Sequence, residues 1–396
     1  MPQFARVLAV FVSLLLVASN AGAQTKPSGP PFKLGVLLPL TGSGASFGED
    51  GQIGLKIALA DVNARGGILG RPVVAVVKDD TGDAATAAKV ALQLVQEEKV
   101  DAILGPVFSN ASAAVLPVTT DAKIVQIAQS YLGAEGDASK YPYVFKANPT
   151  AASVGEAFGP YTKKLKFTKV GIIAVDNLQG SGVAAGASAS LKKVGVTLVD
   201  QATMASGATD VTPQLDKLKR EAPQALILAM AYGPDYVTVL KGLKQIGWTD
   251  VVPMGTSAIN FAVVVQSAPP DIFSHAFGSG GVRNLTRSCE PASVKHLRQE
   301  VSDSAFNHGP ITRDITYVAT MYDSVLMVAN AANATHGSSA PAIKSYLETH
   351  PQVLTSGTYV YTPERHDGLR AEDFVFVKAG LPNNGLTELA PGQSCK

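Results

Sequence analysis

The sequence predicts an α/β protein built as two doubly wound parallel-sheet lobes, and three observations predict it. Short apolar runs of strand length alternate with helical patterns. The alternation restarts after Phe145, giving two series. A chain of 396 residues is also too long for one ordinary core. In the first series, strand candidates Lys33–Leu38, Val73–Lys78, Ala102–Leu104 and Ile124–Ile127 are separated by helices at Glu49–Ala64, Ala84–Glu98 and Ser112–Asp121. In the second, strands Val170–Val175, Thr197–Val199, Ala225–Ala229 and Val251–Pro253 alternate with helices at Ala152–Leu165, Val183–Val194, Pro213–Glu221 and Pro234–Ile246. The remainder reads as helices Glu290–Val301, Ile315–Ala332 and Ala340–Glu348, with strands at Gly357–Tyr361 and Asp373–Val377.

Composition narrows the functional classes. Hydrophobic residues make up 46% and charged residues 16%, which is globular rather than disordered. Lys and Arg number 33 against 32 acids, and removing Arg6 leaves 32 against 32. No strong field therefore favours nucleic acid or anionic lipid. Arg6, the apolar run Val7–Ala18 and the small-residue exit Ala21-Gly22-Ala23 form a secretory signal peptide, residues 1–23, with cleavage expected after Ala23. The apolar run falls short of the roughly 20 residues a bilayer span needs. Gln24, not cysteine, follows the cleavage site, so lipid attachment is not expected. Cys289 and Cys395 are the two cysteines; export to an oxidising compartment favours one disulfide over two free thiols. Closing a loop of about 100 residues would contribute roughly 4–5 kcal/mol in the chain-entropy model.

Ligands of open parallel sheets bind beyond the carboxyl ends of the strands, where helix N-termini offer unpaired N–H donors to an anion. Three loops of the first series fit. Leu38-Pro39-Leu40-Thr41-Gly42-Ser43-Gly44 follows the first strand. Gly105-Pro106-Val107-Phe108-Ser109-Asn110 follows the third, with Ser109 or Asn110 read as the N-cap. Ile127-Ala128-Gln129-Ser130 follows the fourth.

Catalytic patterns are few. Gly180-Ser181-Gly182-Val183-Ala184-Ala185 fits G-x-G-x-x-A with Asp200 downstream, but Asp176 to Gln179 separate it from the strand. Gly42 to Gly48 misses the same spacing, and neither run ends as a P-loop does. The six histidines are scattered, no serine lies in G-x-S-x-G, and Asp79-Asp80 reads as a solvated or capping pair. Asn110-Ala111-Ser112, Asn284-Leu285-Thr286 and Asn333-Ala334-Thr335 are glycosylation sequons by pattern only.

The stretch from Leu34 to Asp80, LGVLLPLTGSGASFGEDGQIGLKIALADVNARGGILGRPVVAVVKDD, resembles the opening of the periplasmic binding proteins of the branched-chain amino acid (Leu/Ile/Val-binding) ABC importer family. The resemblance extends over essentially the whole mature chain. It implies a type I binding-protein fold whose lobes are joined by a three-stranded hinge, with crossings near Phe145–Asn148, Phe277–Arg283 and Pro363–Arg370. Residues 24–146 plus 281–364 would then form lobe I, and 147–280 plus 365–396 lobe II.

By the same resemblance Ser109 holds a ligand carboxylate, and Ala128 and Ser130 contact its polar head. Phe47 packs on its apolar part, and Tyr232 meets it from the second lobe. The second lobe departs from the amino-acid binders. Ser257 stands in place of an acid, Ala151 in place of an aspartate, and the glycines from Gly180 in place of an aromatic. An ammonium buried without an acid costs several kcal/mol, which favours an aromatic or other organic acid, or an amide, over a hydrophobic amino acid. The resemblance thus implies a monomeric periplasmic protein that needs no cofactor and hands a small carboxylate-bearing molecule to a membrane ABC permease. Two alternatives stay open: a ligand sensor feeding a membrane kinase or chemoreceptor, and a doubly wound enzyme.

Overall fold

The structure, a computed structural model, describes residues 26–230, 232–303, 311, 314–369 and 373–395. The signal peptide assigned to residues 1–23 lies outside these. The first sheet gathers β1 (Phe32–Leu38), β2 (Val73–Asp79), β3 (Ala102–Leu104), β4 (Val125–Ala128) and β5 (Val144–Lys146) in the order β2-β1-β3-β4-β5. All four pairings are parallel. Helices α1 (Ala45–Ala64), α2 (Ala84–Gln96) and α3 (Ser109–Ala122) make the crossovers.

The second unit opens with α4 (Ala151–Glu156) and α5 (Phe158–Lys164). It continues as β6 (Lys169–Val175), α6 (Leu178–Val194), β7 (Thr197–Met204), α7 (Thr212–Arg220), β8 (Ala225–Ala229), α8 (Gly233–Gln245) and β9 (Val252–Thr256). Short helices α9 (Ala262–Ser267) and α10 (Pro270–Phe273) lead to β10 (Phe277–Val282). After α11 (Ala292–Asp303), α12 (Thr316–Thr335), α13 (Ala340–Thr349) and the small ribbon β11 (Gln352–Val353)–β12 (Thr358–Tyr359), the chain returns in β13 (Phe374–Lys378). The second sheet runs β13-β10-β9-β8-β6-β7, parallel except for β13 against β10.

Side-chain alternation explains why helices cover both faces of that sheet. Ile173 and Val175 of β6 and Leu226 and Leu228 of β8 join one apolar cluster; Ile172, Ala174, Ala225 and Ile227 join another on the opposite face. The first sheet buries Leu34, Val36, Ile103 and Leu104 in a core that also takes Val294, Leu297, Val318, Val325, Ile343 and Leu347. Helices α11 to α13 therefore return to the first lobe although they follow the second in sequence. Strand membership changes after Lys146, after Val282 and between Leu369 and Phe374. Cys289 and Cys395 are joined by a disulfide, which ties the chain ahead of α11 to the C-terminal tail.

Several helices start earlier than the sequence pattern suggests. α6 begins at Leu178 rather than Val183, because Asn177 caps it by accepting a hydrogen bond from Gly180 N (2.8 Å). The glycines that resemble a dinucleotide loop thus lie inside a helix. A Cβ at Gly180 would overlap the Val175 carbonyl, and one at Gly186 the Ala152 carbonyl of α4. These glycines serve close packing.

Candidate ligand-binding cleft

The carboxyl ends of β1 to β4 face the second lobe, and each loop there is held differently. Asp79, at the end of β2, organises the loop after β1. Its Oδ1 accepts from Leu40 N and Thr81 N (both 2.8 Å), and its Oδ2 from Thr41 Oγ1 (2.6 Å). Burial opposes ionisation, but the bonds from Thr41, Thr81 and Leu40 outweigh it and hold the carboxyl below its ordinary pKa. Asp80 behaves oppositely. Burial pushes its pKa up to about 6 against the Gly82 N–H bond (2.9 Å), and the Asp79 charge adds to the rise; Asp80 Oδ2 has no partner.

The loop after β3 is anchored from beneath by Gln126, whose Nε2 donates to Gly105 O (2.9 Å) while its Oε1 accepts from Thr119 Oγ1 (2.7 Å). α3 then begins at Ser109. The expectation that Ser109 or Asn110 caps this helix is corrected: Phe108, in extended conformation, holds the N-cap position, and no side chain caps the helix. The chain turns helical directly after Pro106-Val107-Phe108, so both polar residues fall inside the first turn. Ser109 is only 4% exposed and its Oγ has no partner. It borders a cavity of about 30 Å³ shared with Gly82, Phe108 and Asn110 of the first lobe and Asn177, Gln179 and Tyr232 of the second.

The loop after β4 is committed inward. Ala128 is fully buried and its carbonyl accepts from Ala147 N (2.9 Å). Ser130 Oγ donates to Glu135 Oε1 (2.8 Å) and accepts from Leu132 N (3.0 Å). Glu135 in turn pairs with Lys146 through a 2.5 Å contact, both side chains fully buried, and Ser112 donates to the same carboxylate. Lys146 Nζ also donates to Ser130 O and Leu132 O (both 2.9 Å).

Aromatic rings fill the space between the lobes. Phe47 makes edge contacts with Phe108 (5.3 Å), Tyr317 (4.6 Å) and Phe261 (5.1 Å), and Phe108 packs on Tyr232 (5.0 Å). Phe261 and Tyr232 belong to the second lobe, so these contacts cross the cleft. Beside them lies a cavity of about 420 Å³ lined by Phe47, Tyr232, Phe261, Val263 and Asp314, among others. Asp314 Oδ1 accepts from Thr316 N (2.8 Å) and Oγ1 (2.6 Å), and burial raises its pKa. Ser257 borders a third space, about 10 Å³, with Tyr131, Gln179 and Tyr317.

Phe47, Ser109, Tyr232 and Ser257 therefore come together along one cleft, whereas Ala128 and the Ser130 hydroxyl lie beneath its floor. Sequence reasoning missed Phe108, Tyr131, Asn177, Gln179, Phe261 and Tyr317. Phe108 and Tyr131 each adjoin a serine that was singled out; nothing in the sequence distinguished Phe261 or Tyr317. A larger hollow of about 700 Å³ lies on the second lobe between α5, α6 and β13, outside the cleft. Among the described residues no group of His, Cys, Asp and Glu is placed to hold a metal, and no helix is long and apolar enough to cross a membrane.

Two doubly wound sheets, three changes of strand membership and a cleft between them define a two-lobed binding protein of type I architecture. The family model for periplasmic binding proteins matches residues 31–380, and the chain belongs to that family. It is 29% identical over 315 residues to Leu/Ile/Val-binding protein homolog 8 of Brucella suis, covering 73% of this chain and 77% of that protein. It is 23% identical over 343 residues to an amino acid binding protein of Pseudomonas aeruginosa, covering 86% and 88%. Among solved structures, an extracellular ligand-binding receptor of Rhodopseudomonas palustris HaA2 shares the fold with a TM-score of 0.80 at 21% identity, over 91% of this chain and all of that one. LivJ of Streptococcus pneumoniae, solved with isoleucine, gives 0.76 at 24% identity over 91% and 99%. A solute-binding protein of Rhodopseudomonas palustris BisB5, solved with 3,4-dihydroxybenzoic acid, gives 0.75 at 18% over 91% and 96%.

Proposed function

We propose that this protein is the exported solute-binding component of an ABC importer. It captures a small carboxylate between its lobes and delivers it to a membrane permease, without catalysing a reaction. The observation that carries the reading is Ser109: a buried hydroxyl with no partner, in the first turn of an uncapped 14-residue helix, at a cavity shared by both lobes. A carboxylate placed there receives the hydroxyl and the helix's free N–H groups, and it is favoured by the helix dipole.

An ordinary small-molecule pocket holds roughly 300–1,000 Å³. The 30 Å³ at Ser109 belongs to lobes shut on one another, so the ligand enters by hinge opening and is enclosed on closure. Phe47 and Tyr232 supply its apolar walls. Support for the cargo class comes from relatives: Leu/Ile/Val-binding homologues on one side, and fold neighbours solved with isoleucine or a dihydroxybenzoic acid on the other. The Ser257 end carries hydroxyls rather than a carboxylate, which favours an aromatic or other organic acid over a hydrophobic amino acid. Calorimetric titration of the stripped mature protein with benzoate, 4-methyl-2-oxopentanoate and leucine tests this. Submillimolar binding of either acid supports the reading; tight binding of leucine alone rejects the cargo assignment, and no binding by any of the three rejects the carboxylate site.

A further inference from the structure

Tyr131 follows Ser130 in the loop after β4, yet its ring does not stay with the first lobe. It is 7% exposed and sits in the second-lobe cluster with Ala151, Val154 and Val183, and its carbonyl accepts from Ala151 N (2.8 Å). Tyr317, carried by α12 of the first lobe, packs against the same cluster. Burial pushes the Tyr131 phenol up to about 12 against the neighbouring Tyr317 hydroxyl, and the Asp314 charge adds to the rise. Tyr131 therefore clasps the lobes together at the inner end of the cleft.

That end is chemically distinct. Its lining is Tyr131, Val154, Gln179, Val183, Thr256, Ser257, Ala258 and Tyr317, with no carboxylate, ammonium or guanidinium among them. Thr256 Oγ1 is already bonded to Tyr236 OH (2.8 Å). Asp314, whose charge is felt by Tyr131 and Tyr317, is held by Thr316 and lines the neighbouring cavity rather than this one. Gln179 borders both this space and the one at Ser109, so the two adjoin across its side chain.

We infer that Tyr131 is a specificity-determining residue: its phenol closes the inner end of the ligand space and requires the end of the ligand opposite the carboxylate to be uncharged. A charged group arriving there loses its hydration and meets only neutral groups: phenols, the Ser257 hydroxyl, the Gln179 amide and aliphatic carbon. The inference rests on Ser109 as the carboxylate anchor.

The experiment titrates stripped wild type, Tyr131→Phe and Tyr131→Ala with seven carboxylates. Uncharged at the far end are benzoate, 4-methylbenzoate and 4-methylpentanoate. Charged there are 4-(aminomethyl)benzoate, terephthalate, 5-aminopentanoate and glutarate. Wild type is expected to favour the uncharged set by about tenfold or more, as a site lacking partners for a charge should. Tyr131→Ala should compress that ratio to about threefold or less by admitting water. Tyr131→Phe should keep the ratio, because the ring remains, while weakening every bound ligand about fivefold, the worth of one neutral hydrogen bond. An unchanged ratio in Tyr131→Ala overturns the inference; if that variant does not fold, unchanged affinities in Tyr131→Phe overturn it. Wild type that binds a charged member as well as its uncharged analogue overturns it too. Binding of none of the seven defeats the carboxylate reading itself, and a loss in Ser109→Ala with no effect at Tyr131 defeats only this inference.

Discussion

On the first-lobe side of the cleft, Ser109 Oγ, after β3, and Asp80 Oδ2, after β2, are buried without partners, while on the second-lobe side Thr256 and Tyr236 are bonded to each other and Asn260 Nδ2, in the turn that follows, is the unpartnered atom. Buried polar groups are paired in the great majority of cases, so an unpaired hydroxyl at a cavity shared by both lobes needs a reason. On the reading proposed above, the Ser109 hydroxyl is held for a ligand that arrives from solution. The Thr256–Tyr236 pair opposite it is internally satisfied and supplies shape. On the same reading, anchoring falls to Ser109 and selection to Tyr131, which the first lobe extends across the cleft.

The largest test of this contrast lies under the first wall. Lys146 and Glu135 are fully buried and paired, and they fix the loop that carries Ser130. Lys146→Met should cost about 3–5 kcal/mol in denaturant unfolding, because it strands a buried carboxylate. A loss below about 1 kcal/mol would mean that the floor of the wall is not rigidly held.

Replacing both Cys289 and Cys395 by serine should cost about 2–5 kcal/mol of stability. The disulfide holds the C-terminal tail, and neither cysteine lines a cavity of the cleft. The ligand profile should therefore stay unchanged in the same titrations; a shifted profile would link the tail to selection.

Asp80 gives the contrast a pH signature. Its folded pKa is raised, to about 6 from an ordinary 3.8, so between those values the native state holds more protons than the unfolded one. Stability from this group is therefore present at low pH, falls as pH rises through that window, and reaches its full penalty above it. Asp80→Asn should flatten that limb and raise stability near pH 7 by about 2–3 kcal/mol, read from urea midpoints across pH 4–7. An unchanged limb would show that another group titrates there.

The smallest effect is the most local. Ser109→Ala should weaken carboxylate binding by about 1–3 kcal/mol while shifting the unfolding midpoint little, since the hydroxyl has no partner inside the protein to lose. Equal losses in binding and stability would make Ser109 a structural residue.

How much of this was legible depended on what each signal measures. The runs at Ala102–Leu104 and Ala225–Ala229 are strands to the residue, because continuous burial leaves no ambiguity in a short apolar segment. The start of α6 was hidden by Gly180 and Gly182, which lower helix propensity locally but are required by the approach of Val175 and α4. Tertiary packing outweighed propensity there. In the site, the sequence located the loops well but not the directions of their side chains. Ser130 and Tyr131 are adjacent, and only the fold turns the serine toward Glu135 and the tyrosine across the cleft. Phe261 and Tyr317 come from distant segments, and no local pattern announces a ring that meets another 200 or more residues away in the chain.

The account's central claim is most directly tested by thermal unfolding of the mature protein, stripped of any carried ligand, against paired amino acids and their deaminated acids together with aromatic carboxylates. A ligand at about 100 times its dissociation constant adds roughly 2.7 kcal/mol, a readily visible shift. The account predicts stabilisation by acids lacking the amine, and its loss in Ser109→Ala. Stabilisation by leucine or valine alone, undiminished in Ser109→Ala, would contradict both the anchor and the cargo.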